Sequence, residues 1–196
     1  MKVFLHFGLW CAGLANPETQ TTEAERNCIS RHAAGRHRLA EVGVWHGVTT
    51  CRIREAMAAD AILFAIDPYP RGKLGFSMHR VIARREVPKI RNGGVEWLRQ
   101  TGAEASRSLA GANVFDFVFI DGDHSYKGLE EDWDGWSHLV GARGVIALHD
   151  SCSTPDRPID GAGSVHFTRE VILGHPNFRV VEIVDSLTVV ERRDDC

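Results

Sequence analysis

The sequence predicts a doubly wound α/β fold on a seven-stranded, mostly parallel sheet that ends in an antiparallel hairpin. Three observations support this. Short apolar runs alternate with helical stretches, the sign of successive βαβ units. Two of those runs, FDFVFID and GVIALHD, stay almost continuously apolar until a closing aspartate, which suits central strands buried on both faces. The last two runs are separated only by Asp185 and Ser186 and read as a hairpin at the sheet edge.

In chain order, the lysine and apolar VFLHFGLWCAGLA between Met1 and Ala15 superficially resemble a secretory signal. The stretch contains His6 and precedes no clean small-x-small cleavage site, so it is expected to pack on the domain instead. Thr22 and Glu25 have capping-box spacing and open a leading helix running to about Ala34, with Ala24, Cys28 and Ile29 on one side and Gly35 as its stop. Residues 1–36 therefore form an N-terminal apolar segment and leading helix. The predicted strands are Arg38–Val44, Ala61–Asp67, Val95–Arg99, Phe115–Asp121, Gly144–His149, Phe178–Val184 and Leu187–Glu191. Between the fourth and fifth, Leu129, Trp133, Trp136 and Val140 recur at helical spacing and predict an amphipathic crossover helix. A chain of 196 residues without repeats or linkers is expected to be one domain, 1–196.

Composition narrows the function classes. The net charge of −3 and the lack of a long apolar run make nucleic acid and membrane unfavoured partners. The basic segment His79–Arg91 is expected to be a solvated helix face or part of a mobile cover over the site. Cys11, Cys28, Cys51, Cys152 and Cys196 are odd in number and scattered, so no disulfide framework or zinc knuckle is indicated and a cytoplasmic setting is expected.

Ligands of open α/β sheets bind beyond the carboxyl ends of the strands, where strand order reverses. After the first strand stands Glu41-Val-Gly43-Val-Trp45-His46-Gly47-Val-Thr49-Thr50, a glycine turn leading into a helix. Gly43 and Gly47 are spaced G-x-x-x-G, unlike the G-x-G-x-x-G of a pyrophosphate cradle. Asp67, at the end of the second strand, is placed to accept hydrogen bonds from both hydroxyls of a ribose, so turn and acid together imply a nucleoside. Asp121 and Asp150 close the fourth and fifth strands, with His149 beside the second and His124 just past the first. Two such aspartates suit a hard divalent ion such as Mg²⁺, whereas His149 among the ligands favours Mn²⁺ or Fe²⁺. Either aspartate alone also reads as a helix cap. His46, His79 and His166 lie within possible reach of the site, and His46 is the best placed because it sits in the glycine turn.

EVGVWHGVTT, AIDPYP, FVFIDGDHSY and GVIALHDS, in this order between about Arg38 and Ser151, resemble the class I S-adenosylmethionine-dependent methyltransferases. Within them they are most similar to small metal-dependent O-methyltransferases of the macrocin and catechol type and to cephalosporin hydroxylase-like proteins. The resemblance implies a Rossmann-like fold and S-adenosyl-L-methionine as cofactor. It implies that Glu41, Gly43 and Gly47 form the methionine-side loop and that Asp67 binds ribose. Trp45, His46, Thr49, Tyr69, Gly102 and Asp121 complete the expected cofactor-binding set. Asp121, His149 and Asp150 match metal positions, with Mg²⁺ expected, and His124 falls where catechol-type enzymes carry a basic lysine. Val44 and Val48 depart from the Ser or Thr and the basic residue of many relatives, and Thr101-Gly102-Ala103 departs at the adenine contact.

The expected reaction is methyl transfer to a hydroxyl of a small molecule, with His124, or His149 in exchange, removing the acceptor's proton. Two alternatives stand beside it: a nicotinamide-dependent oxidoreductase, since Asp67 also suits an NAD ribose, and a non-catalytic protein that binds the cofactor. The apolar first segment allows a homo-oligomer.

Overall fold

The computed structural model describes residues 2–111 and 114–194; Met1 and Cys196, both named above, lie outside them. Two helices, α1 (Lys2–Cys11) and α2 (Glu23–Ala33), precede β1 (Arg38–Val42). Then come α3 (Val48–Ala56), β2 (Ile62–Ile66), α4 (Met78–Glu86), β3 (Gly94–Leu98), α5 (Gly102–Leu109) and β4 (Phe115–Ile120). The chain continues through α6 (Tyr126–Trp136), β5 (Val140–Leu148), a short α7 (Gly163–Phe167), β6 (Phe178–Val184) and β7 (Leu187–Arg192). Hydroxyl side chains start four of these helices: Thr22, Ser77, Thr101 and Ser125 each accept a backbone N–H of the first turn, and Thr22 and Thr101 form complete capping boxes.

The sheet order is β3-β2-β1-β4-β5-β7-β6, parallel from β3 to β5 and antiparallel where β7 joins β5 and β6. Alternation along β4 explains why its sequence is apolar throughout. Val118 and Ile120 face a core with Leu129, Trp133 and Trp136 of α6, while Phe117 and Phe119 face the opposite core with Cys28 and Ile29 of α2 and Ile53 of α3. Strand order reverses between β1 and β4, which opens a crevice at their carboxyl ends.

One expectation needs correction. Val140 opens β5 and does not belong to the crossover helix, which stops at Trp136. The residue is buried in either setting, so spacing four residues beyond Trp136 does not separate helix from strand. In the basic segment, α4 packs beneath α1. Trp10 Nε1 donates to Glu86 Oε1 at 3.0 Å, and the Arg85 guanidinium lies 5.8 Å from the Trp10 ring. The expectation that the first segment packs on the body of the fold therefore holds, although Val3, Phe4, Leu5 and Leu9 remain exposed. Among the described residues no helix is long and apolar enough to cross a membrane, and Cys11, Cys28, Cys51 and Cys152 are free thiols.

Candidate active site

Four strand ends meet at the crevice. The chain leaves β1 through Gly43, whose φ of +88° places its α-carbon against the loop after β4: a Cβ there would lie 1.9 Å from the backbone oxygen of Asp121. Only glycine permits that contact together with that backbone conformation. The resulting cleft has a volume of about 400 Å³ and is lined by Gly43, Val44, Trp45, Val48, Thr49, Asp67, Asp121 and His124, with Glu18, Thr19 and Gln20 forming a wall.

Asp67 organises the rim. Its Oδ2 accepts the N–H groups of Val44 (3.2 Å) and Trp45 (3.0 Å), and its Oδ1 accepts that of Tyr69 (2.7 Å). Trp45 (φ 48°) and Tyr69 (φ 41°) both adopt left-handed backbone, uncommon for aromatic residues, and the carboxylate holds both in place. Oδ1 keeps one lone pair that these three bonds do not use, so the acid can shape the loop and still accept one hydroxyl donor.

Across the cleft, an acid and histidine cluster occupies the ends of β4 and β5. The buried His149 Nδ1 donates to Asp121 Oδ1 at 2.8 Å and lies 3.7 Å from Asp150 Oδ1. Its Nε2 makes an ion-pair contact of 3.4 Å with Glu25 Oε2, without a hydrogen bond. Glu25, on α2, also binds Ser186 at the β6–β7 turn, accepting its N–H (2.9 Å) and hydroxyl (2.7 Å). Burial alone would lower the basicity of His149, but the carboxylates of Asp121, Glu25 and Asp150 raise its pKa to about 10. Burial alone would raise Glu25, yet His149, Ser186 and the Thr22 N–H bring it down to about 2. Asp150, left-handed at φ 50°, is bound by Arg157 Nη2 at 2.5 Å. His124 is the accessible member, with Nε2 3.6 Å from Asp121 Oδ1 and 3.7 Å from Asp150 Oδ2.

Not every expected residue faces the cleft. Glu41 is fully buried beneath the glycine turn, both its oxygens lack hydrogen-bond partners, and burial holds its pKa well above the usual carboxylate range. Gly47 packs against Ala83 and Val87, and Gly102 abuts Asp132 and Val42. Tyr69 is buried, with its hydroxyl donating to the Trp45 carbonyl at 3.3 Å. His46 turns away to stack on His6 under α1, and His79 joins it there; His166 is exposed. The carboxylates flanking His149 favour its protonated form, while His124 is the histidine of the pair that lines the cleft. Glu25, Ser186, Arg157 and the wall at Glu18–Gln20 were not identifiable in the sequence. Glu25 shows there only as a capping residue, and its second role depends on a contact 161 positions away.

A family profile described as a methyltransferase domain matches residues 40–151, a span that holds every lining residue of this cleft named above except Glu18, Thr19 and Gln20. The chain belongs to that methyltransferase family. The methyltransferase fold is shared with the O-methyltransferase TomG from Streptomyces achromogenes, solved with S-adenosylmethionine (TM-score 0.69, 14% identity, 99% of this chain and 91% of that one). It is shared with an O-methyltransferase from Bacillus cereus in complex with S-adenosylhomocysteine (TM-score 0.62, 16% identity, 97% and 89%). The N-methyltransferase NodS from Bradyrhizobium japonicum has it too (TM-score 0.58, 12% identity, 87% and 93%). Identities this low establish the fold and leave the acceptor open. In sequence, a stretch of 128 residues is 28% identical to uncharacterized protein y4gI of Sinorhizobium fredii; it takes up 61% of this methyltransferase chain and 14% of that protein.

Proposed function

We propose that the protein is an S-adenosylmethionine-dependent O-methyltransferase acting on a hydroxyl of a small molecule. The observation that carries the reading is that one cleft joins a rim acid, Asp67, to an accessible imidazole, His124, backed by two carboxylates. The cofactor supplies a methyl group already activated as a sulfonium. Asp67 accepts a ribose hydroxyl at Oδ1, Gly43 lets the methionine portion approach backbone, and residues 18–20 limit access of water. Asp121 and Asp150 orient His124, which takes the acceptor's proton. His149, held protonated, stays fixed and orients Asp121 by its Nδ1–H.

Asp121, His124 and His149 each offer a ligand atom within 4.8 Å of the others. Mixed nitrogen and oxygen donors fit Mn²⁺ or Fe²⁺ better than Mg²⁺. Asp121, Asp150 and His149 would hold such an ion, His149 then giving up the Nδ1 proton it otherwise donates to Asp121, and His124 would stay free as the base. A bound ion would lower the pKa of the acceptor hydroxyl.

Titration calorimetry with S-adenosylhomocysteine, NAD and NADP, each with and without divalent ion, tests the reading. Micromolar binding of S-adenosylhomocysteine alone is expected, weakened about 10- to 100-fold in Asp67→Ala as a charge-assisted hydrogen bond to the ribose is lost. Binding of a nicotinamide nucleotide in its place overturns the proposal. His124→Gln is expected to lower kcat by about 100-fold or more with cofactor affinity little changed. An unchanged kcat assigns the base elsewhere.

A further inference from the structure

A second group of ionisable side chains lies beneath α1, and the proposed chemistry uses none of its histidines; only Glu18 also reaches the cleft wall. His46, only 1% exposed, accepts the Glu18 N–H at Nδ1 (3.0 Å), so its proton sits on Nε2, which donates to His79 Nδ1 at 2.8 Å. The His6 ring stacks on His46 at 5.3 Å between centroids and 8° between planes. Its Nδ1 lies 3.3 Å from Glu18 Oε1, and its Nε2 is buried without a partner. A cavity of about 180 Å³ runs alongside, lined by His6, Glu18, Trp45, His46 and His79.

The geometry points to a second cation site, in which His6, Glu18 and His46 bind a divalent ion of the Zn²⁺ class and clip the N-terminal segment onto the glycine turn. Each of the three offers a ligand atom within 4.8 Å of the other two. Tetrahedral zinc takes nitrogen and oxygen ligands at about 2.0–2.2 Å, so its ligand atoms stand roughly 3.3–3.6 Å apart. The set therefore closes by about 1.5 Å at most. His46 has the tautomer a ligand needs: Nδ1 carries the free lone pair, and the opposite N–H is anchored on His79, the outer-sphere arrangement typical of metal-bound histidine. The ion takes the place of the Glu18 N–H at that nitrogen. His6 must turn about its Cβ–Cγ bond, out of the parallel stack, to aim a lone pair at the ion, and the adjoining cavity leaves room for that turn and for a water as fourth ligand. Glu18 is half exposed, which opens a path from solvent. Because Glu18 also lines the cleft, ligation there ties the cleft wall to α1 and to the turn after β1.

The test uses the full chain, freed of metal by chelation and titrated with Zn²⁺ alone by calorimetry. Co²⁺ in a parallel sample reports coordination through its visible spectrum. Zinc affinity is expected to fall at least about tenfold in His6→Ala and in Glu18→Gln, and to stay unchanged in Asp121→Asn, which disables the cluster at the cleft. Zn²⁺ should also slow hydrogen exchange over residues 3–22 in the wild-type chain. Glu18→Gln lies at the surface and keeps the test independent of any packing defect in His6→Ala. The proposal is overturned if the wild-type chain binds no zinc, if both substitutions leave affinity unchanged, or if Asp121→Asn abolishes binding.

Discussion

Gly43→Ala is expected to destabilise the fold by at least about 4 kcal/mol, a loss on the order of 10 °C in Tm for a chain of this length. Two costs combine. An alanine at φ +88° is strained by about 1–2 kcal/mol. Its Cβ would also stand 1.9 Å from the Asp121 oxygen and 2.6 Å from the Asp121 carbonyl carbon, backbone atoms that cannot swing aside as a side chain can. Relief requires the loops after β1 and β4 to separate, and those loops form the two sides of the cleft. Gly35→Ala is the matched control, because Gly35 has φ +68° with nothing within 4 Å of its Cβ. It should cost only about 1 kcal/mol. Thermal unfolding of the two variants side by side separates backbone strain from steric exclusion. Equal losses would mean that the two loops do not touch as described.

Glu25→Gln should cost about 3 kcal/mol, since it leaves the buried His149 imidazolium without one of its anions and keeps only one acceptor oxygen where Thr22 and Ser186 now use two. The pH dependence gives the sharper signature. Glu25 titrates near 2 in the folded chain against an ordinary 4.5, so its contribution is fully present above 4.5 and is lost as pH falls toward 2. His149 titrates near 10 against 6.5, so its contribution is fully present below 6.5 and is lost as pH rises through 10. Urea unfolding across this range should show, in Glu25→Gln, a flatter acid limb and an alkaline limb moved to lower pH. A variant with the wild-type pH profile would show that Glu25 and His149 are not coupled.

The legible part of the site was the part carried by strand ends. Gly43, Asp67, Asp121 and His149 each follow an apolar run, and a parallel sheet brings such positions to one edge whatever the details of packing. The glycine turn was harder to resolve. Trp45 and His46 are neighbours in the chain, yet Trp45 lines the cleft and His46 packs under α1. The turn includes a left-handed residue at Trp45, which reverses the facing of the next side chain, and an aromatic residue there gives no sequence sign of that conformation. Tyr69 was misplaced for the same reason.

The sequence by itself determined the seven strands, their order of appearance, the closing hairpin and the leading helix with its capping box. Those features follow from local periodicity and from side chains hydrogen-bonding within a few residues. It also determined which acids stand at strand ends. Only the tertiary structure decided that α2 delivers Glu25 to His149, that Arg157 engages Asp150, and that His6, Glu18 and His46 meet beneath α1. These contacts join groups 7 to 124 positions apart. Their energy depends on shared burial and on the charge of the partner, quantities that exist only once the sheet has closed and water has been excluded between its layers.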